Sequence, residues 1–512
     1  MNYLTIAIVS SALLCSTSGV ALAQNQSFVF GQETESEGFS FGSSEIDTMD
    51  VGEQDAQSPK HWKFNTEVDF GAGYLPYEEA NVDVSTHARI TPELTWRGDN
   101  RFSAKFSGEI AHFSELGSRD SNDVQVLYQD NYVRYTDDNL KLTAGPQKII
   151  WGSTDEIKPT DRIGAQNFSQ GIIRDYADRQ LAVPAVRGEY VKDGFKFDGV
   201  GVFKHRNAEL AEEDSMWSFI NRNNGRVLGV PNTPEFASIV QQATIDEESY
   251  GFGGGGARIS KKTSLMDGAV TLQRVRQTTP FYDINPQISA AVEAGSFTPT
   301  TLSSLSGATA TIINPWTWVM GGDVSIPIGA SIFRGEVAWL SDVPVHSQSF
   351  RRRDANNIQA VAGVEFYPGD TDFRVIVQSV ANVLYGVDNM LEQDEQYSLN
   401  GSFENPFLHG DLVASLDYGL GINEHDVYIN PKLSYRGIDN HDLYVEGHFF
   451  DGSDVTVGGF YEDNSQVRVG WSYEFGKSFD LPKMPVKQAY TPKRKYTPKG
   501  KYVDTYVPVP ER

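Results

Sequence analysis

The segment Trp62–Tyr74, WKFNTEVDFGAGY, alternates without a break over thirteen residues. Trp62, Phe64, Thr66, Val68, Phe70, Ala72 and Tyr74 share one face, while Lys63, Asn65, Glu67, Asp69 and two glycines share the other. A two-residue period marks a β-strand, because successive side chains leave opposite sides of the pleat. Strands of soluble sandwiches are shorter, roughly 5–6 residues. Aromatics at both ends, with small and aliphatic residues between, match a strand that faces lipid.

The pattern recurs to the segment Ser465–Phe475, SQVRVGWSYEF. The sequence predicts an all-β fold, a transmembrane antiparallel β-barrel of about 18 strands, with 16–20 compatible. Tight Gly/Asp/Asn/Pro turns alternate with longer polar loops, of which Gly152–Leu181, Lys204–Gly251 and Thr278–Pro315 are the longest. With the N-terminus in the periplasm, the short turns fall there and the long loops outside. Asn423–His425 is the exception, a very short outer connection. Hydrocarbon offers no water to unpaired backbone groups, so such a sheet has to close. A soluble solenoid or propeller would show a repeat of fixed length, and the sequence has none.

The inward rows predict a charged lumen of both signs: Lys105, Glu109, Glu189, Lys196, Asp198, Arg258, Lys432, Glu446 and Arg468, with pore-lining candidates Arg274, Arg276, Arg334, Glu336, Glu365 and Arg374. Arg or Lys against lipid near the midplane would cost roughly 2–4 kcal/mol. Arg274 and Arg276 fit less well, since they share a face with Val270 and Leu272. The four arginines would form a basic track for anionic solutes, or a network neutralised by its own carboxylates. The loop after Trp151 carries Asp155, Asp161, Arg162, Arg174, Asp175, Asp178 and Arg179. It is a constriction-loop candidate if it folds inward, and a self-paired exposed loop if it does not.

Of the 512 residues, 1–23 read as a signal peptide with an A-x-A cleavage site at Ala21–Ala23. Residues 24–60 read as an acidic disordered periplasmic arm, 61–475 as the barrel, and 476–512 as a basic Pro/Lys/Tyr-rich periplasmic tail. The net charge of −25 argues against a nucleic-acid partner. Cys15 is the only cysteine and falls in the signal, which leaves no thiolate metal site or disulfide. No catalytic, metal or cofactor motif is present: H-E-x-x-H, G-x-S-x-G and an EF-hand loop are all absent, and GGGGARISKK lacks the G-K-[ST] of a phosphate loop. The chain is therefore expected not to be an enzyme.

Three stretches, LTAGPQKIIWGSTDEIKPTD, GARISKKTSLMDGAVTLQRVRQTTPFY and MGGDVSIPIGASIFRGEVAWLSDVP, resemble a proteobacterial outer-membrane β-barrel family of unknown function. They are also loosely similar to alginate-export-type porins. The resemblance covers Leu127 to Pro344 and departs from the pattern at Pro146 and in the C-terminal tail. It implies a channel or export barrel moving solutes or cargo across the outer membrane, and carries over no catalytic residue. It also gives Arg468, Gly470, Tyr473 and Phe475 the role of an assembly signal read by the barrel-assembly machinery. The other expectation is a structural or interaction barrel, an adhesin or anchor. Its basic tail would bind the cell wall or an inner-membrane partner.

Overall fold

The computed structural model describes residues 61–77, 81–98, 101–118, 120–155, 157–479, 494–496 and 502–504. The expected signal, the acidic arm and most of the basic tail lie outside these residues.

The barrel strands are β1 (Trp62–Tyr74), β2 (Val82–Arg97), β3 (Phe102–Gly117), β4 (Ser121–Thr136), β5 (Leu140–Gln147) and β6 (Val183–Lys192). Next come β7 (Phe195–Val202), β8 (Gly254–Lys262), β9 (Asp267–Arg276), β10 (Trp316–Ile328), β11 (Ser331–His346) and β12 (Arg352–Phe366). The last six are β13 (Arg374–Tyr385), β14 (Glu395–Phe407), β15 (Leu412–Gly421), β16 (Asp426–Ile438), β17 (His441–Gly452) and β18 (Gln466–Phe479). Each pairs antiparallel with its neighbours in chain order, and β18 closes on β1 from Trp62↔Phe479 to Tyr74↔Val467. Closure leaves the main sheet without an edge, the condition for spanning hydrocarbon.

The surface is inverted relative to a water-soluble protein. Outward-facing apolar side chains stay exposed, Val126 at 74 % and Val270 at 61 %, while Gln378 and Asn400 inside are wholly buried. Aromatic pairs mark both rims of this band. Trp62 meets Trp96 at 6.4 Å and Phe102 meets Tyr135 at 5.2 Å at the short-turn end. Phe252 meets Trp316 at 6.2 Å at the other. An apolar belt between aromatic girdles is the outer face of a membrane-spanning barrel.

One end carries only short connections, of two to seven residues. Asp193 (φ 53°) and Gly194 (φ 78°) close β6 onto β7 in the left-handed pair that a two-residue hairpin requires. The other end carries the long connections 148–182, 203–253 and 277–315, besides short ones such as 118–120 and 422–425.

Strand β5 ends four residues before Trp151, where the sequence pattern placed its end. It meets β4 over only four pairs, Val133–Thr136 with Lys141–Ala144. Gly145 (φ 126°) lies so close to β4 that a Cβ would come within 2.3 Å of the Asn131 carbonyl. Pro146 follows and cannot donate to the ladder. The chain then leaves the wall and turns inward. At the C-terminal end, β18 runs four residues past Phe475, and beyond it Arg494–Tyr496 pairs antiparallel with Tyr502–Asp504.

Candidate functional site: the lumen and its inward-folded loop

The connection 148–182 is almost wholly buried and crosses the lumen. Ile149, Trp151, Ile163, Ala165 and Leu181 pack against the inward side chains Val183, Val200, Val275, Val319 and Ala338. This apolar core fills the lumen on the side where the loop is rooted. Trp151 Nε1 donates to Asp198 on β7 at 3.1 Å.

Polar grips hold the loop to strands all round the wall. Glu336 on β11 accepts from the Ser153 N–H (3.1 Å) and from the Thr154 N–H (3.4 Å) and hydroxyl (2.9 Å). It also accepts the Thr160 N–H at 2.7 Å and the Thr160 hydroxyl at 2.8 Å. Gly152 (φ 113°) makes room for this, since a Cβ there would lie 2.6 Å from the carboxylate. Gln273 on β9 donates to the Thr160 carbonyl at 2.7 Å, and Arg162 donates to Gln359 on β12. On the opposite wall, Arg174 makes a two-pronged pair with Glu109 on β3 at 2.9 and 2.6 Å. Asp178 faces Arg89 on β2 at 3.3 Å.

Asp161 sits inside the loop. It accepts from the Trp151 N–H at 3.2 Å and from the Tyr176 hydroxyl. Burial pushes its carboxyl up to about 6, against those two donors. Burial likewise pushes Asp175 up to about 7, opposed mainly by Lys432. Arg179 is completely buried, with its guanidinium 5.4 Å over Phe168, and none of its nitrogens has a hydrogen-bond partner among the described residues.

Three pore-lining candidates, Arg334, Glu365 and Arg374, form one cluster with the loop. Arg334 reaches Asp155 and Glu365, each at 2.8 Å; Arg374 reaches Glu365 at 2.7 Å; Gln378 donates to Asp155 at 3.3 Å. The two arginines are thus shared between two carboxylates and form no bare basic track. Elsewhere Lys196 pairs with Glu189 at 2.7 Å and Arg258 with Asp323 at 2.7 Å.

Arg274 and Arg276 are corrected: they do not line the pore. In β9 the inward set is Asp267, Ala269, Thr271, Gln273 and Val275, so both arginines fall on the outer face with exposed Val270 and Leu272. They sit at the aromatic rim near the long-loop end. Arg274 lies 5.6 Å over Trp316, 5.4 Å over Trp318 and 3.5 Å from Asp342. Arg276 lies 3.8 Å over Tyr250 and donates to the Asn314 carbonyl at 2.8 Å. At the rim an arginine keeps its charge near water while its stem covers apolar surface. The phase clash with Val270 and Leu272 was already the signal.

The assembly-signal candidates split by face. Arg468 points inward, 3.4 Å from Glu446 and bonded to His87. Gly470 lies under the Tyr444 ring, where a Cβ would come within 2.1 Å of Cζ. Tyr473 and Phe475 point outward, Tyr473 against His441 at 4.7 Å and Phe475 against Phe64 at 6.3 Å.

Beyond the sequence candidates, the structure shows a roof over the long-loop end. Trp217 packs on Tyr461 (5.5 Å) and Phe450 (6.1 Å), and the Tyr461 hydroxyl donates to the Trp217 carbonyl at 3.1 Å. Arg226 pairs with Asp454 at 3.3 Å. Connections 203–253 and 277–315 add a cap. It holds the three-stranded sheet Ile245–Glu247, Phe281–Ile284 and Ala310–Ile313, and the helices Pro234–Gln241 and Pro286–Glu293. Thr233 caps the first helix by accepting from the Phe236 N–H at 3.2 Å, and Asn285 caps the second from the Gln287 N–H at 3.0 Å. The two caps are local, but no sequence signal joins Trp217 to Tyr461 or Arg226 to Asp454, because those contacts span loops far apart in the chain.

No family model matches the chain, and no curated protein matches it. Among solved structures, it is similar to OccK5 (OpdH) of Pseudomonas aeruginosa at 9 % identity and a TM-score of 0.45, covering 81 % of this chain and 98 % of that one. It is also similar to Salmonella typhi OmpF in complex with daunomycin at 10 % identity and a TM-score of 0.41, covering 81 % and 98 %. A third is an anion-selective porin from Comamonas acidovorans, at 10 % identity and a TM-score of 0.37, covering 81 % and 99 %.

Proposed function

We propose that this chain is an outer-membrane channel whose passage is set by the inward-folded connection 148–182. The observation that carries this is the anchoring of that loop to opposite walls, through Glu336 on one side and Glu109 on the other. A loop held at both ends across a closed barrel leaves only the space beside it for solute. That space is bounded by ion pairs of both signs, which bias the ions that enter. The N-terminus and Phe479 would lie in the periplasm, with the roofed end outside. The resemblance to export-type barrels adds a cargo role to this reading without naming the cargo. The assembly-signal role of Arg468, Gly470, Tyr473 and Phe475, and the binding of cell wall or an inner-membrane partner by the tail, belong to the same proposal.

Reconstitution in planar bilayers tests it. Stepwise conductance supports a channel. The second reading, a closed structural barrel, is favoured by the roof built around Trp217 and Tyr461, a buried apolar core lying over the long-loop end. A barrel that never conducts yet retains tail-dependent pull-down of a periplasmic partner would establish that reading instead.

A further inference from the structure

Arg274 and Arg276 stand in one outward column of β9, on the long-loop side of Val270 and Leu272. A charge on the lipid face is costly at mid-membrane and tolerated at the rim. At this rim both arginines keep donors to spare. Arg274 makes no hydrogen bond among the described residues. Its Nη1, 3.5 Å from Asp342, is sheltered from water and lacks a hydrogen-bond partner. Arg276 bonds the Asn314 carbonyl through Nη1, and its Nε has no partner among the described residues. Trp318 and Trp316 stand opposite them in the β9–β10 ladder, with Arg274 5.4 Å over Trp318 and Arg276 4.7 Å over Trp316.

The outer wall beside the arginines is hollow. The ladders set Gly201 and Gly255 in the row of Arg274, and Gly188, Gly199 and Ala257 in the row of Leu272. A Cβ at Gly199 or Gly201 would meet nothing within 4 Å. Around these small residues stand the exposed side chains Val186, Tyr190, Phe197 and Phe203. An acyl chain lying over the glycines would touch this apolar surround and bring its headgroup beside Arg274.

The fork of a guanidinium matches the oxygens of a phosphate, and each arginine near a membrane surface adds to the binding of an anionic lipid. A zwitterionic lipid would bring a cation of its own to the same place. We propose that this side of the long-loop rim binds an anionic membrane lipid, its phosphate on Arg274 and Arg276 and one tail in the glycine hollow. The proposal rests on the barrel spanning a membrane and is independent of conduction.

The test is native mass spectrometry of the full chain in detergent, titrated with phosphatidylglycerol. One lipid is expected to bind about tenfold more tightly than phosphatidylcholine does. A variant carrying both Arg274→Gln and Arg276→Gln should lose about tenfold or more of that affinity. Gly201→Phe, which fills the hollow and keeps both arginines, should also weaken binding. Arg226→Gln, at the same end but over the opposite wall, should leave it unchanged. The heat-dependent gel shift shows whether each variant is a closed barrel. Equal binding of the two lipids overturns the proposal, and that comparison needs only the unaltered protein. Undiminished binding in the closed arginine variant or in closed Gly201→Phe overturns it, as does an equal loss in Arg226→Gln. Displacement of the lipid by soluble glycerol 3-phosphate at equal concentration would mark a site for free phosphate. Loss of self-association instead of lipid in the arginine variant would mark a contact between copies of the chain. Either result overturns the proposal.

Discussion

Thr160 and Glu336 stand 176 residues apart in sequence, yet both the N–H and the hydroxyl of Thr160 bond one carboxylate oxygen of Glu336, at 2.7 and 2.8 Å. A buried carboxylate with several donors is an anchor, because each donor left behind would be unsatisfied. Glu336→Ala should free the loop near Ser153–Thr160 at a cost of several kcal/mol in local stability, while the barrel stays folded. Hydrogen exchange should show lost protection in 153–164 and none in β1–β4. Glu336→Gln, which keeps one acceptor, should give an intermediate loss.

Asp161 makes the loop pH-dependent. Its carboxyl is raised from 3.8 to about 6 by burial, so the folded loop binds that proton more tightly than the unfolded loop does. The stabilisation is fully present below pH 3.8 and is lost as pH rises through about 6. Loop opening, corrected for intrinsic exchange, should therefore become easier by a few kcal/mol between pH 4 and pH 7. Asp161→Asn should remove the share due to Asp161 and leave the dependence that Asp175, raised to about 7 in the same loop, contributes at higher pH. A wild-type loop that tightens as pH rises would contradict the assignment.

The two arginine pairs should behave differently. Arg334→Gln removes a lumen charge shared by Asp155 and Glu365, and should shift the reversal potential in a salt gradient toward cation preference. Arg274→Gln removes a charge that faces the outer rim over Trp316 and Trp318, and should leave the reversal potential unchanged. A shift of equal size in both would place Arg274 in the lumen after all.

Strand β18 supplies a further prediction. Gly476, Lys477, Ser478 and Phe479 pair with Asn65, Phe64, Lys63 and Trp62. Ending the chain after Phe475 strips these pairs and leaves the start of β1 as a free edge. Such a protein should lose the heat-dependent gel shift of a closed barrel, whereas one ending after Phe479 should keep it.

The wall of this molecule was legible in the sequence because its signal is local. Val467, Val469, Trp471 and Phe475 alternate within one strand, and the same rule puts Arg274 and Arg276 in phase with outward-facing Val270 and Leu272. The end of β5 was less legible, since Lys148–Trp151 continues the apolar texture while Gly145 and Pro146 break the ladder. The direction of the loop was not legible at all. Alternating charges such as Asp155, Arg162 and Arg174 suit an exposed loop as well as a buried one. What decides between them is Glu336, Glu109 and Gln359, residues on three distant strands that no spacing rule connects to the loop. The roof residues Trp217 and Tyr461 escaped for the same reason.

The most direct test of the account is the single-channel conductance of the protein with Asn167–Ile172 deleted, in planar bilayers beside the unaltered chain. These residues lie at the far side of the loop's crossing, where Phe168 and Ile172 pack under the roof. If the loop sets the passage, the deletion should raise conductance and weaken ion selectivity. Unchanged conductance and selectivity, with the barrel intact, would contradict it.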